Sequence, residues 1–305
     1  MTAATAAALR RRRVKRLAWV LCILALAVVG ISAYVRLDAA GFGCADWPAC
    51  YGEILAGKAN LHSGIARPLH RLGASVALLL GFLLAWLCLQ PQPLQPVARR
   101  AVALVLLMMV LAAVGIWSSD PHRAFVTFFN ILGGLALVSL SWRVVLGAAG
   151  TAPPPVRNPW LAPGLAALLT TLALGALIGA RYAAVSCQTL PACGDVWWPT
   201  DAWAALNPFA IVAAPLAPGD SGGSALHLLH RYSALATLAL LVPAAHRALR
   251  QPSERSAARV VLALLAVEVV LGLFTVASGF NLWLGIAHSA TAAALIAAAA
   301  SLRTA

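Results

Sequence analysis

The sequence predicts an all-α polytopic membrane protein from three observations: an apolar composition, eight apolar segments and an order of motifs that occurs twice. Of its 305 residues, 62% are hydrophobic and 10% are charged, whereas a soluble domain carries about 25% charged residues. So few charges cannot cover a water-facing surface, so we expect lipid around most of the chain. The formal net charge of +13 therefore indicates membrane topology, and no nucleic-acid partner is expected.

Eight segments are long enough to cross a bilayer, which requires about 20 apolar residues for a helix. They lie at about 17–35, 68–90, 101–118, 124–146, 160–181, 225–248, 259–278 and 283–302. The first follows a basic stretch that is typical of a secretory signal, but no small-residue cleavage site is visible. We therefore expect it to remain as the first of eight transmembrane helices.

The distribution of basic residues indicates how these helices are oriented. An even number of spans places both termini on one side, and the arginines and lysines are more numerous there than on the other side. Cytoplasmic loops carry the excess of positive charge. We expect a multi-pass protein of a bacterial inner membrane with both termini in the cytoplasm, and functional groups near the long outer loops at 36–67 and 182–224.

The same order of motifs occurs in both halves of the chain. Each half has an arginine at the end of its first helix, two cysteines separated by five residues, and a His-Arg pair at the start of its second helix. In the first half these residues are Arg36, Cys44, Cys50, His70 and Arg71, and in the second half they are Arg181, Cys187, Cys193, His230 and Arg231. Duplication is common in membrane folds. We expect two pseudo-symmetric four-helix bundles, formed by residues 1–150 and 151–305.

Three of the seven histidines lie near the outer end of an apolar helix: His70, His230 and His288. Ionisable residues at such depth are costly and usually face the bundle interior. His230 and His288 fall at the same depth on the second and fourth helices of one half, so together they can ligate a heme iron from both sides. The alternative is a hydrogen-bonding role that only joins helices. Zinc is disfavoured because a closed structural site usually has four ligands.

The first half has no second histidine at the corresponding place. Asn130 occupies in the fourth helix the position that His288 occupies in the eighth, and an asparagine is a poor iron ligand. His122, in the short preceding loop, is a candidate substitute ligand. Gly133 and Gly134 permit the close approach of either a flat cofactor or another helix.

Four arginines lie beside these histidines or at the end of a preceding helix: Arg36, Arg71, Arg181 and Arg231. A guanidinium binds a carboxylate through two parallel hydrogen bonds, so we expect these residues to hold heme propionates. Alternatively, they anchor the helices at the membrane interface. Glu268, in the middle of the seventh helix, is interpreted either as a proton-relay group or as a neutral hydrogen-bonded carboxyl.

The four loop cysteines face an oxidising compartment, where disulfides are favoured. We expect the pairs Cys44–Cys50 and Cys187–Cys193, each closing a small loop over its own bundle. A redox role is the alternative, although neither pair has the C-x-x-C spacing of thioredoxin-like proteins.

The stretch from Tyr34 to Gly52, YVRLDAAGFGCADWPACYG, resembles the first outer loop of the heme A synthase family. The His-Arg pairs, the duplicated halves and the cysteine loops are similar too, so the resemblance covers most of the chain. It implies oxidation of the C8 methyl group of heme O to a formyl group, giving heme A for cytochrome c oxidase. It also implies a heme b between His230 and His288, and a catalytic site at His70 and Asn130.

Two positions of the first half depart from the family's pattern. Asn130 stands where the family has a histidine, and Arg67 stands one turn before His70 where the family has a glutamate linked to catalysis. The catalytic residues expected from the resemblance are therefore His70, Asn130 and Arg67, with His70 as a single iron ligand that leaves a coordination position open.

Other functions and partners follow from the same features. The departures favour a second hypothesis, a heme-binding oxidase assembly factor without catalysis, and the cysteine pairs favour a third, a membrane disulfide oxidoreductase. A solute transporter is disfavoured because no span is strongly broken by glycine or proline near its middle. Membrane lipid is an expected partner, the resemblance implies heme O synthase and assembling cytochrome c oxidase, and a homo-oligomer remains open.

Overall fold

The computed structural model describes residues 3–40, 42, 64–115, 123–150, 157–198, 200, 202–212 and 218–302. Within these ranges, eight helices are long and apolar enough to cross a membrane. They are α1 (Ala3–Ala39), α2 (Ala66–Leu89), α3 (Val97–Gly115), α4 (Ala124–Ala148), α5 (Leu161–Ala180), α6 (Ser221–Ala248), α7 (Arg255–Ala277) and α8 (Leu282–Ala299). The predicted all-α fold with eight spans is confirmed.

Large apolar side chains point outward from the helices, as expected for a multi-pass membrane protein. Along α7, five of them are between 44% and 59% exposed: Val260, Val267, Val270, Leu273 and Phe274. A water-facing helix would place polar side chains there. Lipid is the solvent that suits this surface.

The first helix is longer than predicted. It begins at Ala3 and has 37 residues, because its basic N-terminal part is helical as well as its apolar part. The Arg10 guanidinium donates hydrogen bonds to the carbonyl oxygens of Leu87 (2.8 Å), Cys88 (3.0 Å) and Gln92 (2.8 Å). The carbonyls of Leu87 and Cys88 lie in the last turn of α2, where a helix leaves its last acceptors unpaired, and Gln92 follows just after the helix. Arg10 therefore ties the start of α1 to the end of α2.

Side-chain caps fix where the two helices with paired histidines begin. The Asp220 carboxylate accepts a hydrogen bond from the Gly223 amide (2.7 Å) and caps α6. The Asn281 side chain accepts from the amides of Trp283 (3.0 Å) and Leu284 (3.4 Å) and caps α8. Asp and Asn are favoured caps because they satisfy otherwise unpaired amides. Both helices therefore begin at defined residues at the same end of the bundle, which we call the outer end.

The helices contact one another in the same order in both halves. In residues 1–150 the contacting pairs are α1–α2, α2–α3, α3–α4 and α1–α4, and in residues 151–305 they are α5–α6, α6–α7, α7–α8 and α5–α8. The halves are joined by α8, which contacts α1 and α4, and by the contact of α4 with α5. Two-fold pseudo-symmetry and the boundary at residue 150 stay predictions, and residues 151–156 lie outside the described ranges.

The glycine pair of α4 permits helix contact. A Cβ atom at Gly133 would lie 2.3 Å from Leu111 Cδ2 of α3, and one at Gly134 would lie 3.1 Å from Val29 Cγ2 of α1. Side chains at these positions would push the neighbouring helices away. Of the two predicted roles for this pair, helix contact is the one that the packing supports.

Candidate heme site

The two histidines of the second half lie on helices at opposite corners of their bundle. His230 is on α6 and His288 on α8, and each of these helices contacts both α5 and α7. Both rings are half-buried, and they are close enough to interact electrostatically. The structure thus places the two predicted ligands toward one shared interior.

One ring nitrogen of the His230 imidazole makes a hydrogen bond to the protein backbone. Its Nδ1 lies 3.0 Å from the carbonyl oxygen of Thr171 on α5. A carbonyl oxygen only accepts hydrogen bonds, so Nδ1 carries the proton and Nε2 keeps a free lone pair. A histidine that ligates iron through Nε2 needs this tautomer, and the other ring nitrogen of a metal ligand almost always donates to a carbonyl, a carboxylate or a water.

The His288 imidazole is engaged at the same ring position by a different acceptor. Its Nδ1 lies 2.7 Å from Oε2 of Glu268 on α7. The ring N–H is not aimed along this line, so the contact has ion-pair distance without hydrogen-bond geometry. Nε2 is again the nitrogen left for a ligand.

A glycine one turn after each acceptor makes room for the imidazole. A Cβ atom at Gly175, four residues after Thr171, would lie 3.1 Å from His230 Cε1. A Cβ atom at Gly272, four residues after Glu268, would lie 3.5 Å from His288 Cε1. Residues four apart share one helix face, so α5 and α7 each present an acceptor and an adjoining gap to one histidine.

Three of the four predicted propionate-binding arginines keep a buried nitrogen without a hydrogen-bond partner. These atoms are Arg36 Nε, Arg181 Nε and Arg231 Nη2. Buried donors are nearly always paired in folded proteins, so the three atoms mark places for an acceptor. Arg71 is exposed and has no such atom, so this argument does not extend to it.

Arg181 and Arg231 also hold the outer segment between α5 and α6. Arg181 Nη1 donates to the carbonyl oxygens of Ala204 (2.9 Å), Ala205 (3.3 Å) and Asn207 (3.2 Å). Arg231 Nη1 donates to those of Pro191 (2.8 Å) and Ala192 (3.3 Å). The arginines are therefore shared between this backbone and the interior.

Arg36 of the first half reaches toward the second half. A Cβ atom at Gly179 of α5 would lie 3.7 Å from Arg36 Nε, and Arg36 interacts electrostatically with Tyr182. Burial raises the pKa of the Tyr182 phenol, so the phenol stays neutral at pH 7. Tyr182 therefore does not neutralise the guanidinium, which suits an anionic ligand nearby.

The predicted residues of the first half are less closely arranged. His70 on α2 and Asn130 on α4 are half-buried, and Arg67 is exposed in the first turn of α2. In the described part of the chain, no hydrogen bond joins His70 to Asn130. His122, the candidate substitute ligand, lies outside the described residues, as do Cys44 and Cys50.

The predicted disulfide of the second half is present between Cys187 and Cys193. The two residues are only 1% and 8% exposed and pack against Leu228 of α6. A buried disulfide is poorly placed for exchange with a partner thiol. The structural role expected for this pair is therefore favoured over the redox role.

One buried histidine was not singled out from the sequence. His227 lies one turn before His230, and its Nε2 is 3.0 Å from the carbonyl oxygen of Ala183. It is 6% exposed and its ring contacts Phe280. His227 thus supports the backbone that follows α5; the signal for it is its place in the repeat, which corresponds to Arg67 before His70.

Fold and site together define a polytopic membrane protein with two interior histidines, each of which has its Nδ1 beside an acceptor oxygen. Residues 15–63 and 68–300 match the COX15-CtaA family, described as Cytochrome oxidase assembly protein. The match spans most of the chain, so the protein belongs to this family.

Several bacterial relatives carry the name Heme A synthase. The one from Shewanella oneidensis is 28% identical over 313 residues, covering 92% of this chain and 94% of the relative. The one from Novosphingobium aromaticivorans is 32% identical over 249 residues, covering 75% and 68%. The one from Sphingopyxis alaskensis is 25% identical over 345 residues, covering 97% and 93%.

Proposed function

We propose that this protein is a heme A synthase, an oxidoreductase that converts the C8 methyl group of heme O to the formyl group of heme A. The observation that carries the proposal is the histidine pair His230 and His288, with Nδ1 engaged and Nε2 left free, in a chain similar to heme A synthases over most of its length. Helix joining alone does not explain why both rings are engaged at the same nitrogen.

The second half suits a bound heme b. His230 and His288 would hold the iron through Nε2, and Arg36, Arg181 and Arg231 would bind the propionates through the nitrogens that have no partner. When bound, such a heme supplies one-electron transfer. The chain's own part is to fix both rings through Thr171 and Glu268 and to exclude water from the site.

The first half is the proposed place for heme O. His70 would be its single protein ligand, which leaves one position on the iron for the oxidation chemistry. Asn130 would border the ring from α4 and offer hydrogen bonds rather than a metal ligand. Arg67 would favour the anionic propionates at the outer end.

A second candidate is a heme-binding assembly factor that does not catalyse the oxidation. Arg67 and Asn130 favour it, because both replace residues that the resemblance links to the catalytic half. In either case we propose an inner-membrane location with both termini in the cytoplasm, and heme O synthase and assembling cytochrome c oxidase as partners. A disulfide oxidoreductase is disfavoured by the burial of Cys187 and Cys193.

The experiment is to co-express the protein with a heme O synthase, purify it in detergent, and identify the extracted hemes by chromatography and mass. Heme A or its hydroxylated intermediate is expected. Heme b alone, lost from His230→Ala and His288→Ala, would leave the assembly factor as the function. His246→Ala, an exposed position at the other end of α6, is the matched control. Absence of any heme would contradict both proposals.

A further inference from the structure

A carboxylate lies in the middle of α7, beside one of the two proposed iron ligands. Glu268 is the fourteenth residue of a 23-residue helix, and its side chain is 13% exposed. A charged side chain at the centre of a transmembrane helix costs about 3 kcal/mol in insertion. Such a residue therefore needs a compensating contact, and the contact observed is with His288 Nδ1 at 2.7 Å.

We propose that Glu268 is a positioning residue that fixes His288 and strengthens it as an iron ligand, so that His230 and His288 would hold the heme of the second half with unequal strength. This inference rests on the proposed heme site. His230 is engaged by the neutral carbonyl of Thr171, whereas His288 is engaged by a carboxylate. Hydrogen bonds to ionised acceptors are roughly twice as strong as neutral ones, so a hydrogen bond from His288 to an ionised Glu268 would make His288 the more basic of the two imidazoles.

The first half offers an internal comparison. In α3, the helix that corresponds to α7, residues 101–115 contain no ionisable side chain, and α4 carries Asn130 where α8 carries His288. The carboxylate and the histidine are therefore both present in one half and both absent from the other. A carboxylate needed only for packing would have no reason to follow the histidine in this way.

The expected consequence concerns the iron's preference for its two oxidation states. A carboxylate beside Nδ1 raises the basicity of a ligating imidazole. A more basic ligand stabilises the ferric state, so Glu268 lowers the reduction potential of the heme. Glu268→Gln keeps the shape and one acceptor oxygen but removes the charge, so it should raise the potential.

The test is a redox titration of the purified full-length protein with its bound heme, together with its low-temperature electron paramagnetic resonance spectrum. We expect Glu268→Gln to keep its heme and to shift the ferric–ferrous equilibrium toward ferrous on the order of tenfold, which is about 59 mV for one electron. The spectrum should change too, because its anisotropy reports ring orientation. Asp195→Asn, which removes an exposed carboxylate of the outer segment, should change neither.

Each outcome separates the inference from the proposed function. If the unsubstituted protein binds no heme, the proposed site fails. If Glu268→Gln binds heme with an unchanged potential and spectrum, the site stands and the positioning role is refuted. If Glu268→Gln loses its heme, Glu268→Asp distinguishes a positioning role from a packing role. Heme retained in Glu268→Asp supports the positioning role of the carboxylate. Heme lost from Glu268→Asp as well shows that Glu268 is needed only for packing.

Discussion

At the scale of single residues, Gly175 gives the most direct test of how His230 is held. The Gly175→Ala variant adds a Cβ atom 3.1 Å from His230 Cε1, which forces the ring away from the Thr171 carbonyl. Overpacking of this kind costs about 1–3 kcal/mol. We expect a lower heme-to-protein ratio, measured by the pyridine hemochrome method on purified protein. Gly30→Ala, in α1, meets no atom within 4 Å and should bind heme normally; equal losses in both variants would contradict the assignment.

The limits of sequence reasoning are also visible at this scale. Depth and residue type pointed to His230 and His288, because imidazoles are rare in apolar spans. Their acceptors could not be predicted, because one is a backbone carbonyl and the other requires α7 to turn Glu268 toward α8. The backbone bonds of Arg181 were equally hidden, since they depend on the path of a loop that has no periodic pattern.

At the scale of elements, the outer segment between α5 and α6 depends on Arg181. Hydrogen bonds from a charged group contribute about 1.5–3 kcal/mol each, and Arg181 donates to three carbonyls of residues 204–207. We expect Arg181→Gln to speed amide hydrogen exchange in residues 202–212 by tenfold or more, as measured by mass spectrometry. Arg71→Gln, which alters an exposed arginine at the outer end of α2, is the control, and similar exchange in both variants would argue against this anchoring role.

The Cys187–Cys193 disulfide is a second constraint on the outer segment between α5 and α6. Removing it distinguishes a heme A synthase from a disulfide oxidoreductase. Replacing Cys187 and Cys193 by serine should lower the free energy of unfolding by about 2 kcal/mol. Because the disulfide braces the loop without reacting, heme A formation should fall in step with the amount of folded protein. The measurement is heme A per folded protein after co-expression with heme O synthase. Full loss of activity in a folded variant that keeps its heme would instead favour the disulfide oxidoreductase. Cys88→Ala, at a buried free cysteine of α2, controls for cysteine loss.

Element positions were the easier part to predict. Hydropathy placed all eight helices, because the bilayer thickness sets a length that the sequence must match with apolar residues. The main error was the start of α1, which lies at Ala3 rather than near residue 17. A count of apolar residues cannot detect a basic helical extension that is held by the carbonyls at the end of α2.

At the scale of the whole molecule, the charge distribution predicts how the bundle sits in the membrane. With both termini in the cytoplasm, a fluorescent protein fused after Ala305 should fluoresce, and alkaline phosphatase fused there should be inactive. A phosphatase fused at 278–281, in the outer turn between α7 and α8, should be active. The reverse pattern would overturn the orientation and would place the Cys187–Cys193 disulfide on the reducing side.

The two halves share an order of helix contacts yet differ in chemistry, and this difference decides between the two candidate functions. In the family's pattern a histidine at the place of Asn130 is accompanied by a glutamate at the place of Arg67. If heme O sits in the first half with His70 as its single ligand, Asn130→His beside the unchanged Arg67 adds a second imidazole that competes for the position that oxidation needs. We therefore expect this variant to form at least tenfold less heme A while its content of heme b is unchanged, as measured on extracted hemes.

If the protein is instead an assembly factor, the unsubstituted chain forms no heme A. Asn130→His combined with Arg67→Glu restores the family's pattern and should then introduce some heme A. Asn130→Ala serves as the control, because it removes the amide without offering a ligand. If Asn130→Ala loses as much heme A as Asn130→His, the amide itself is required. That outcome would contradict the explanation that oxidation needs an iron position left open at Asn130.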